Sequence, residues 1–425
     1  MTLETTFVMN TSNIKYGPGA TGEVGYDMKA LGARRAMVVA DPHLVNEEPV
    51  EIAMQSLREA GVQTVLFDGV RIEPTDASFK EAIAFAQDGN FDGYVAIGGG
   101  STMDTAKAAN LYTTYPADFL TYVNAPIGEG RPVPGKLAPL IAIPTTAGTG
   151  SETTGVAIFD LEEMHVKTGI AHPALRPVMG IVDPNNTRML PKMAVSSTGW
   201  DVLCHALESL TAIPFSSRPA PEHPGLRPAY QGANPISDIW TTRAIEMVPK
   251  NMLRVLADPE DDEARGQMLL AACFAGIGFG NAGVHLPHGM SYPVSGMVRD
   301  YCPDGYLSDH PIIPHGMAVT LNAPAVFRFT GQANPERHLF AAKLMGADVN
   351  GVDMKDAGEV LARVIIDLMY ITGMPNGLSA VGFTPGDVDA LAAGTLPQHR
   401  VTKLSPRPAD ANDLKQLFLD AMKYW

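Results

Sequence analysis

Residues 94–110 read YVAIGGGSTMDTAKAAN, an apolar run of strand length that stops in three glycines and a serine and then passes into a helical pattern. Four apolar residues in succession, Tyr94 to Ile97, suit a strand covered on both faces, as in a parallel sheet. Gly98, Gly99 and Gly100 let the backbone come close to a ligand. The helix expected from Ser101 onward adds unpaired amides and the positive end of its dipole, which suits a pyrophosphate. The spacing is not GxGxxG, and a tight strand-to-helix connection would have a similar composition.

On either side of this stretch the same alternation continues. RAMVVADP (35–42), TVLFDG (64–69), PLIAIPTT (139–146) and MGIVDP (179–184) are short apolar runs closed by Gly, Pro, Asp or Thr. Between the first three lie EEPVEIAMQSLREAG and DASFKEAIAFAQDG, whose apolar positions recur every three or four residues. Strand and helix in alternation predict a Rossmann-like, doubly wound parallel sheet. After about Pro191 only long helical patterns remain, so the expected division is an α/β domain over residues 1–190 and an all-helical domain over 191–425. The helical part is interrupted by one Pro-rich loop, IPFSSRPAPEHPGLRPAY (213–230).

The formal charge of -15, from 46 acidic and 31 basic side chains, repels phosphate backbones and anionic lipid. Nucleic acid and membranes are not expected partners, and no run of about 18 apolar residues suggests a transmembrane helix. The N-terminal stretch MTLETTFVMNTSNIKYGPG shows neither a basic region before an apolar core nor an arginine-rich amphipathic pattern, and three cysteines without CxxC spacing give no disulfide framework. A cytoplasmic protein is the expectation.

A second loop, Pro144-Thr145-Thr146-Ala147-Gly148-Thr149-Gly150-Ser151-Glu152, follows a strand and offers hydroxyls and mobile amides to the ligand of the first. Asp41, closing the first of the quoted strands, can accept hydrogen bonds from adenosine ribose hydroxyls and would repel a 2'-phosphate, which favours NAD over NADP. A simple Asp-Pro turn would read the same way. In SSTGWDVLCHALESL (196–210), Asp201 and His205 share one helix face, and NAGVHLPHGMSYPVSG and DHPIIPHGM add His285, His288, His310 and His315. Four ligands from this set would hold a divalent ion. Oxygen and nitrogen donors without thiolate suit Fe2+ or Zn2+, and such an ion lowers the pKa of an alcohol placed beside a nicotinamide.

GGGSTMDTAK, PTTAGTGSET, the D-x-x-x-H helix and the two HGM histidines, in this order over nearly the whole chain, resemble the iron-containing alcohol dehydrogenases. The resemblance implies the dehydroquinate synthase-like architecture of that family, an NAD-binding α/β domain followed by a helical metal and substrate domain. It implies Asp201, His205, His288 and His315 as metal ligands, with Fe2+ the expected ion. It matches Asp41, Gly99, Gly100, Ser101, Thr145 and Thr146 to cofactor contacts, with Gly98, Asp104, Thr149 and Ser151 counted from the same stretches, and Lys167 to a lysine near the nicotinamide ribose.

Within the family, VRIEPTDASF, TTGVAIFD, DVLCHALES, RPAYQGANPISD, GIGFGNAGVHLPHGMSYP and GTLPQHRVTKL are most similar to the hydroxyacid-oxoacid transhydrogenases. That branch implies 4-hydroxybutyrate and 2-oxoglutarate as substrates, giving succinate semialdehyde and 2-hydroxyglutarate, with NAD held between the two half-reactions. Alternatives are an ordinary NAD-dependent dehydrogenase acting on alcohols and aldehydes, and a non-catalytic NAD-binding assembly protein. His285 and Tyr292 depart from the wider family pattern and are expected to carry a proton relay. Glu73 stands where the family carries asparagine. Arg227 and Arg299 are the candidate cations for an acid substrate, and a homodimer or higher homo-oligomer is expected.

Overall fold

The computed structural model describes residues 2–425 except 165, 307 and 309. They form two compact units, one from Asn10 to Met189 and one from Leu190 to Trp425, the latter joined by the segment up to Met9. The sequence-based boundary near 190 assigns that first segment to the α/β part. In the structure it packs on the Pro-rich loop instead, with a bridge between Leu3 and Pro219 and a bond from the Val8 amide to Gln231.

The α/β unit holds strands β1 (Asn13–Tyr16), β2 (Arg35–Ala40), β3 (Gln63–Phe67), β4 (Gly93–Gly98), β5 (Leu140–Pro144), β6 (Val156–Leu161), β7 (Val166–Ala171) and β8 (Met179–Val182). Six of them make one sheet in the order β1-β8-β5-β4-β2-β3, with every pairing parallel. β4 and β5 are buried along their whole length, which is why they read as unbroken apolar runs. Helices α1 (Val24–Ala30), α2 (Glu48–Glu59), α3 (Asp76–Gly89) and α4 (Gly100–Thr114) follow the strands. α3 starts in a capping box between Thr75 and Ser78 and ends at Asn90 in the left-handed region.

From β2 the chain adds β3 on one side and then returns to place β4 on the other, so the order reverses between β2 and β4. The carboxyl ends of strands at such a reversal are where open α/β sheets bind ligands. Asp41 follows β2 there, and Gly98 ends β4. Two features went beyond the sequence reading. β1 pairs with β8 at the sheet edge, and β6 and β7 form a separate antiparallel hairpin.

The helical unit contains α5 (Lys192–Thr211), α6 (Pro235–Ala257), α7 (Asp262–Ala282), α8 (Leu286–Gly296), α9 (His315–Gly331), α10 (Pro335–Leu344), α11 (Ala357–Ile371), α12 (Val388–Thr395), α13 (His399–Thr402) and α14 (Ala411–Asp420). α5 is buried almost all round, so it is the central helix of this unit rather than an amphipathic one. α7 and α8 meet at a bend of 105° after Gly283, and no single helix among the described residues is long and apolar enough to cross a membrane.

Candidate metal and cofactor sites

Asp201 and His205 lie one turn apart on α5, both buried. The bend before α8 brings His288 to them, and the start of α9 brings His315. Gly316 is needed for that approach, because a Cβ there would stand 2.0 Å from the Ser197 carbonyl oxygen and 2.8 Å from Asp201 Cβ. The Ser197 hydroxyl also accepts the Met317 amide, which fixes the first turn of α9 against α5.

The result is a cluster of donors centred on Asp201 Oδ1. His288 Nε2 lies 3.6 Å from it, His205 Nδ1 3.7 Å and His315 Nε2 3.8 Å. These separations exceed hydrogen bonds. They approach the roughly 3.4 Å between neighbouring ligand atoms of a tetrahedral ion with bonds of about 2.1 Å. One ligand atom each from Asp201, His288 and His315 lies within 4.8 Å of the others, and His205 stands beside this trio. Asp201 Oδ1, His205 Nδ1 and His288 Nε2 are buried without a hydrogen-bond partner. Three such atoms turned toward one another fit a cation, since unpaired buried polar atoms are costly.

Electrostatics agree with that fit. Burial disfavours the Asp201 carboxylate, but His205, His315 and His288 more than offset this and hold it well below the usual range. Burial, reinforced by His288 and His315, brings His205 down to about 3 against the pull of Asp201, so it is a neutral imidazole with a free lone pair. His288 is opposed by burial, yet Glu208 and Asp201 push it up to about 10. The pocket therefore has negative charge in excess, which suits a cation.

Glu208 was absent from the sequence-based set. It lies on α5 one turn beyond His205 and has no exposed surface. Its Oε1 accepts from His288 Nδ1 at 2.6 Å, and its Oε2 accepts the His285 and His288 amides at 2.6 and 3.4 Å. Glu208 thereby keeps a proton on Nδ1, so Nε2 is the nitrogen that would give up its proton and turn its lone pair to a cation bound beside Asp201.

His285 and Tyr292 lie in different surroundings. Thr211 donates to the Leu207 carbonyl, so His285 Nε2 donates to the Thr211 hydroxyl at 2.9 Å, with the ring set edge-on to Phe327. His285 has no exposed surface, and burial lowers it to about 4. Tyr292, one turn past His288 on α8, has its ring 6.4 Å from that of His315, and its hydroxyl accepts from Arg400 at 2.7 Å. Cys204 is buried beside Thr320 and belongs to the core.

In the α/β unit the two glycine loops touch. The Thr145 amide bonds the Gly98 carbonyl at 3.0 Å, and a Cβ on Gly100 would come within 2.6 Å of Thr149 Cγ2. α4 has no side-chain cap, so its first amides stay open at the end of β4. Asp104 and Ser151, expected among the cofactor contacts, are engaged inside the unit. Asp104 Oδ1 accepts from the Ser151 hydroxyl at 2.8 Å, Oδ2 accepts the Ile158 amide at 2.9 Å, and the buried Lys107 donates to Ser151 Oγ at 2.5 Å. These bonds pin the second loop to α4.

Lys167 is opposite Asp160 across the β6–β7 hairpin and bonds it at 2.9 Å, with Glu73 at 2.6 Å. Burial works against its charge, but Glu73 and Asp160 more than offset this and raise it above the usual lysine range. Glu73 adopts φ 55°, with its amide on the Ser101 hydroxyl. Asp41 Oδ1 accepts both the amide and Nδ1 of His43, capping a short turn.

Residues 11–184 match the family model described as iron-containing alcohol dehydrogenase, and residues 229–422 match that of its C-terminal part. The chain belongs to the iron-containing alcohol dehydrogenase family. Its members are oxidoreductases, which accords with the paired glycine loops and the donor cluster.

Among its relatives, the mitochondrial hydroxyacid-oxoacid transhydrogenase of Homo sapiens is 54% identical, over 100% of this chain and 91% of that protein. The enzyme of the same name from Xenopus tropicalis is 53% identical over 99% and 92%. Among solved structures, a 1,3-propanediol oxidoreductase superposes with a TM-score of 0.85 at 28% identity, over 98% of this chain and all of that one. The Oenococcus oeni alcohol dehydrogenase does so with a TM-score of 0.85 at 26% identity over the same shares. The relatives' names correct one expectation: they are mitochondrial enzymes, which overturns the cytoplasmic placement drawn from the N-terminal stretch.

Proposed function

We propose that this chain is a hydroxyacid-oxoacid transhydrogenase, taking 4-hydroxybutyrate to succinate semialdehyde while 2-oxoglutarate becomes 2-hydroxyglutarate. The observation that carries the reading is identity of 54% over the full chain to enzymes of that name, in a chain whose donor cluster fits a cation. We assign Asp201, His205, His288 and His315 as the ligands of one divalent ion, iron(II) by family. That ion would supply Lewis-acid polarisation of the substrate oxygen. NAD would carry the hydride from one organic substrate to the other.

The α/β unit supplies the cofactor's seat. The open amides of α4 at Gly99, Gly100 and Ser101, with Thr145, Thr146 and Thr149 of the second loop, receive the pyrophosphate. Asp41, at the strand-order reversal, takes the adenosine ribose and sets the preference for NAD. Lys167, held by Glu73 and Asp160, fixes the edge of the nicotinamide side. In the helical unit Tyr292 lines the substrate's place beside His315, while His285, with no exposed surface and Nε2 on Thr211, supports the wall behind His288 and relays no proton.

The test is isotopic. With 4-hydroxybutyrate carrying deuterium on its hydroxyl carbon, label should arrive undiluted in 2-hydroxyglutarate in the presence of a pool of unlabelled NADH, with parallel reciprocal plots for the two organic substrates. Label lost to free NADH, with an absolute need for added NAD, would assign the chain to the ordinary dehydrogenases.

A further inference from the structure

An acid substrate needs a cation, and neither arginine expected from the sequence is available. Arg227 bonds Glu4 through Nε at 2.9 Å and Nη2 at 3.4 Å. Arg299 pairs with Asp387 on the surface. We propose that Arg400 is the carboxylate anchor of the substrate site and receives the distal carboxylate of both the hydroxy acid and the oxo acid. The proposal rests on the substrate class assigned above.

Arg400 lies on the short helix α13, which packs on α8. Gly289 makes that contact possible, because a Cβ there would stand 2.8 Å from Thr402 Cγ2. The guanidinium is held on two sides. Nη2 donates to the Tyr292 hydroxyl at 2.7 Å, and Cζ sits 5.1 Å from the centre of the Tyr230 ring. Nη1 is buried and has no hydrogen-bond partner. No carboxylate among the described residues pairs with this arginine. Arg400 is partly buried as a whole, its guanidinium is charged at every relevant pH, and a charged donor buried without an acceptor is costly. An arriving anion would complete it.

Both supports of the guanidinium lead to the donor cluster. Tyr292 shares α8 with His288, and its ring lies 6.4 Å from His315. Tyr230 meets Phe279 at 6.4 Å, and Phe279 stacks on His205 at 3.9 Å. The guanidinium is thus joined through two chains of aromatic rings to His315 and His205 of the donor cluster.

The chemistry of the pair fits one anchor. In 4-hydroxybutyrate three carbon–carbon bonds separate the carbon that loses hydride from the carboxyl carbon. In 2-oxoglutarate three also separate the keto carbon from the distal carboxyl carbon. One cation at a fixed distance from the reacting position therefore seats donor and acceptor alike. The second carboxylate of the oxo acid takes the place of a hydrogen on the donor.

The test uses glutarate, an unreactive diacid of matching length, and binding rather than turnover. Calorimetry on the metal-loaded protein should show its Kd raised about 10- to 100-fold in Arg400→Met, the loss of a charge-assisted pair, and less in Arg400→Lys. Metal content should be that of the native chain. Kinetics with 1-butanol, which has no carboxylate, should change little. An unchanged glutarate Kd in Arg400→Met overturns the proposal, as does an equal loss toward glutarate and 1-butanol. Should Arg400→Met not fold, Arg400→Lys and Arg400→Gln decide by the same comparison. If the native chain binds glutarate through Arg400 yet transfers no label between hydroxy and oxo acids, the anchor stands and the transhydrogenase reading falls.

Discussion

In the helical unit Asp201, His205 and His288 each leave a buried polar atom without a partner, whereas in the α/β unit Asp104, Lys107 and Lys167 are tied to neighbours of their own unit. Both regions bury charge, and the difference lies in what completes it. Glu152 is the α/β unit's exception, with Oε1 unpaired, and there burial lifts the carboxyl to about 7, so a proton meets much of the cost. Around Asp201 the nitrogens that have no hydrogen-bond partner converge on one point. Convergence, more than burial, marks the place where a ligand is missing from the polypeptide's own account.

The sharpest way to break this contrast is to remove a converging donor. His315→Ala should lose most of its metal and activity together, because an open catalytic site has no spare ligand. His310→Ala, altered at a histidine whose ring Nδ1 lies 3.5 Å from the Ser308 hydroxyl, should keep both. Mass spectrometry of the purified variants reads the metal directly. Full metal content in His315→Ala would remove the ligand assignment.

The complementary variant disturbs a charge that the fold completes itself. Lys107→Met leaves Asp104 buried with only Ser151 and the Ile158 amide, and breaking a buried pair from one side typically costs about 3–5 kcal/mol. Burial already raises Asp104, partly countered by Lys107. A carboxylate raised in the folded state gives stability at low pH that is lost as pH rises, so the deficit should be larger at pH 8 than at pH 5. Urea unfolding followed by circular dichroism measures it. Metal content should not change, and a metal loss matching that of His315→Ala would erase the distinction between the two regions.

What was legible in the sequence follows the same line. β2, β4, β5 and β8 declared themselves because strands covered on both faces must be apolar throughout. β1, NIKY, sits at the sheet edge with no fully buried residue, and a stretch that short and mixed carries no period. Asp201 and His205 were visible as a pair because one helix turn joins them. Glu208 shares that helix and could have been found by extending the same face by three residues. Arg400 could not, since it meets Tyr292 across 108 residues of chain through helix packing that no local pattern encodes. Asp104 and Ser151 show the opposite limit, as polar residues in a glycine-rich stretch look alike whether they serve a ligand or, through the bonds they make here, the loop.

The smallest effect tests the carboxylate that joins the two kinds of burial. Glu208 is fully satisfied, as Asp104, Lys107 and Lys167 are, yet its partner His288 is one of the converging donors. Glu208→Gln keeps the volume but leaves one carbonyl oxygen where two acceptors served His288 Nδ1 and the His285 amide. Either the ring is no longer held with its proton on Nδ1, or a buried amide faces an amino group. Groups that orient a metal-binding histidine typically change affinity by about 10- to 100-fold, so competition against a chelator should show a metal Kd weakened by that factor. The loss is smaller than in His315→Ala because all four donors remain. An unchanged Kd in a folded Glu208→Gln would mean that packing alone aims His288, and that the satisfied carboxylate belongs with the α/β charges after all.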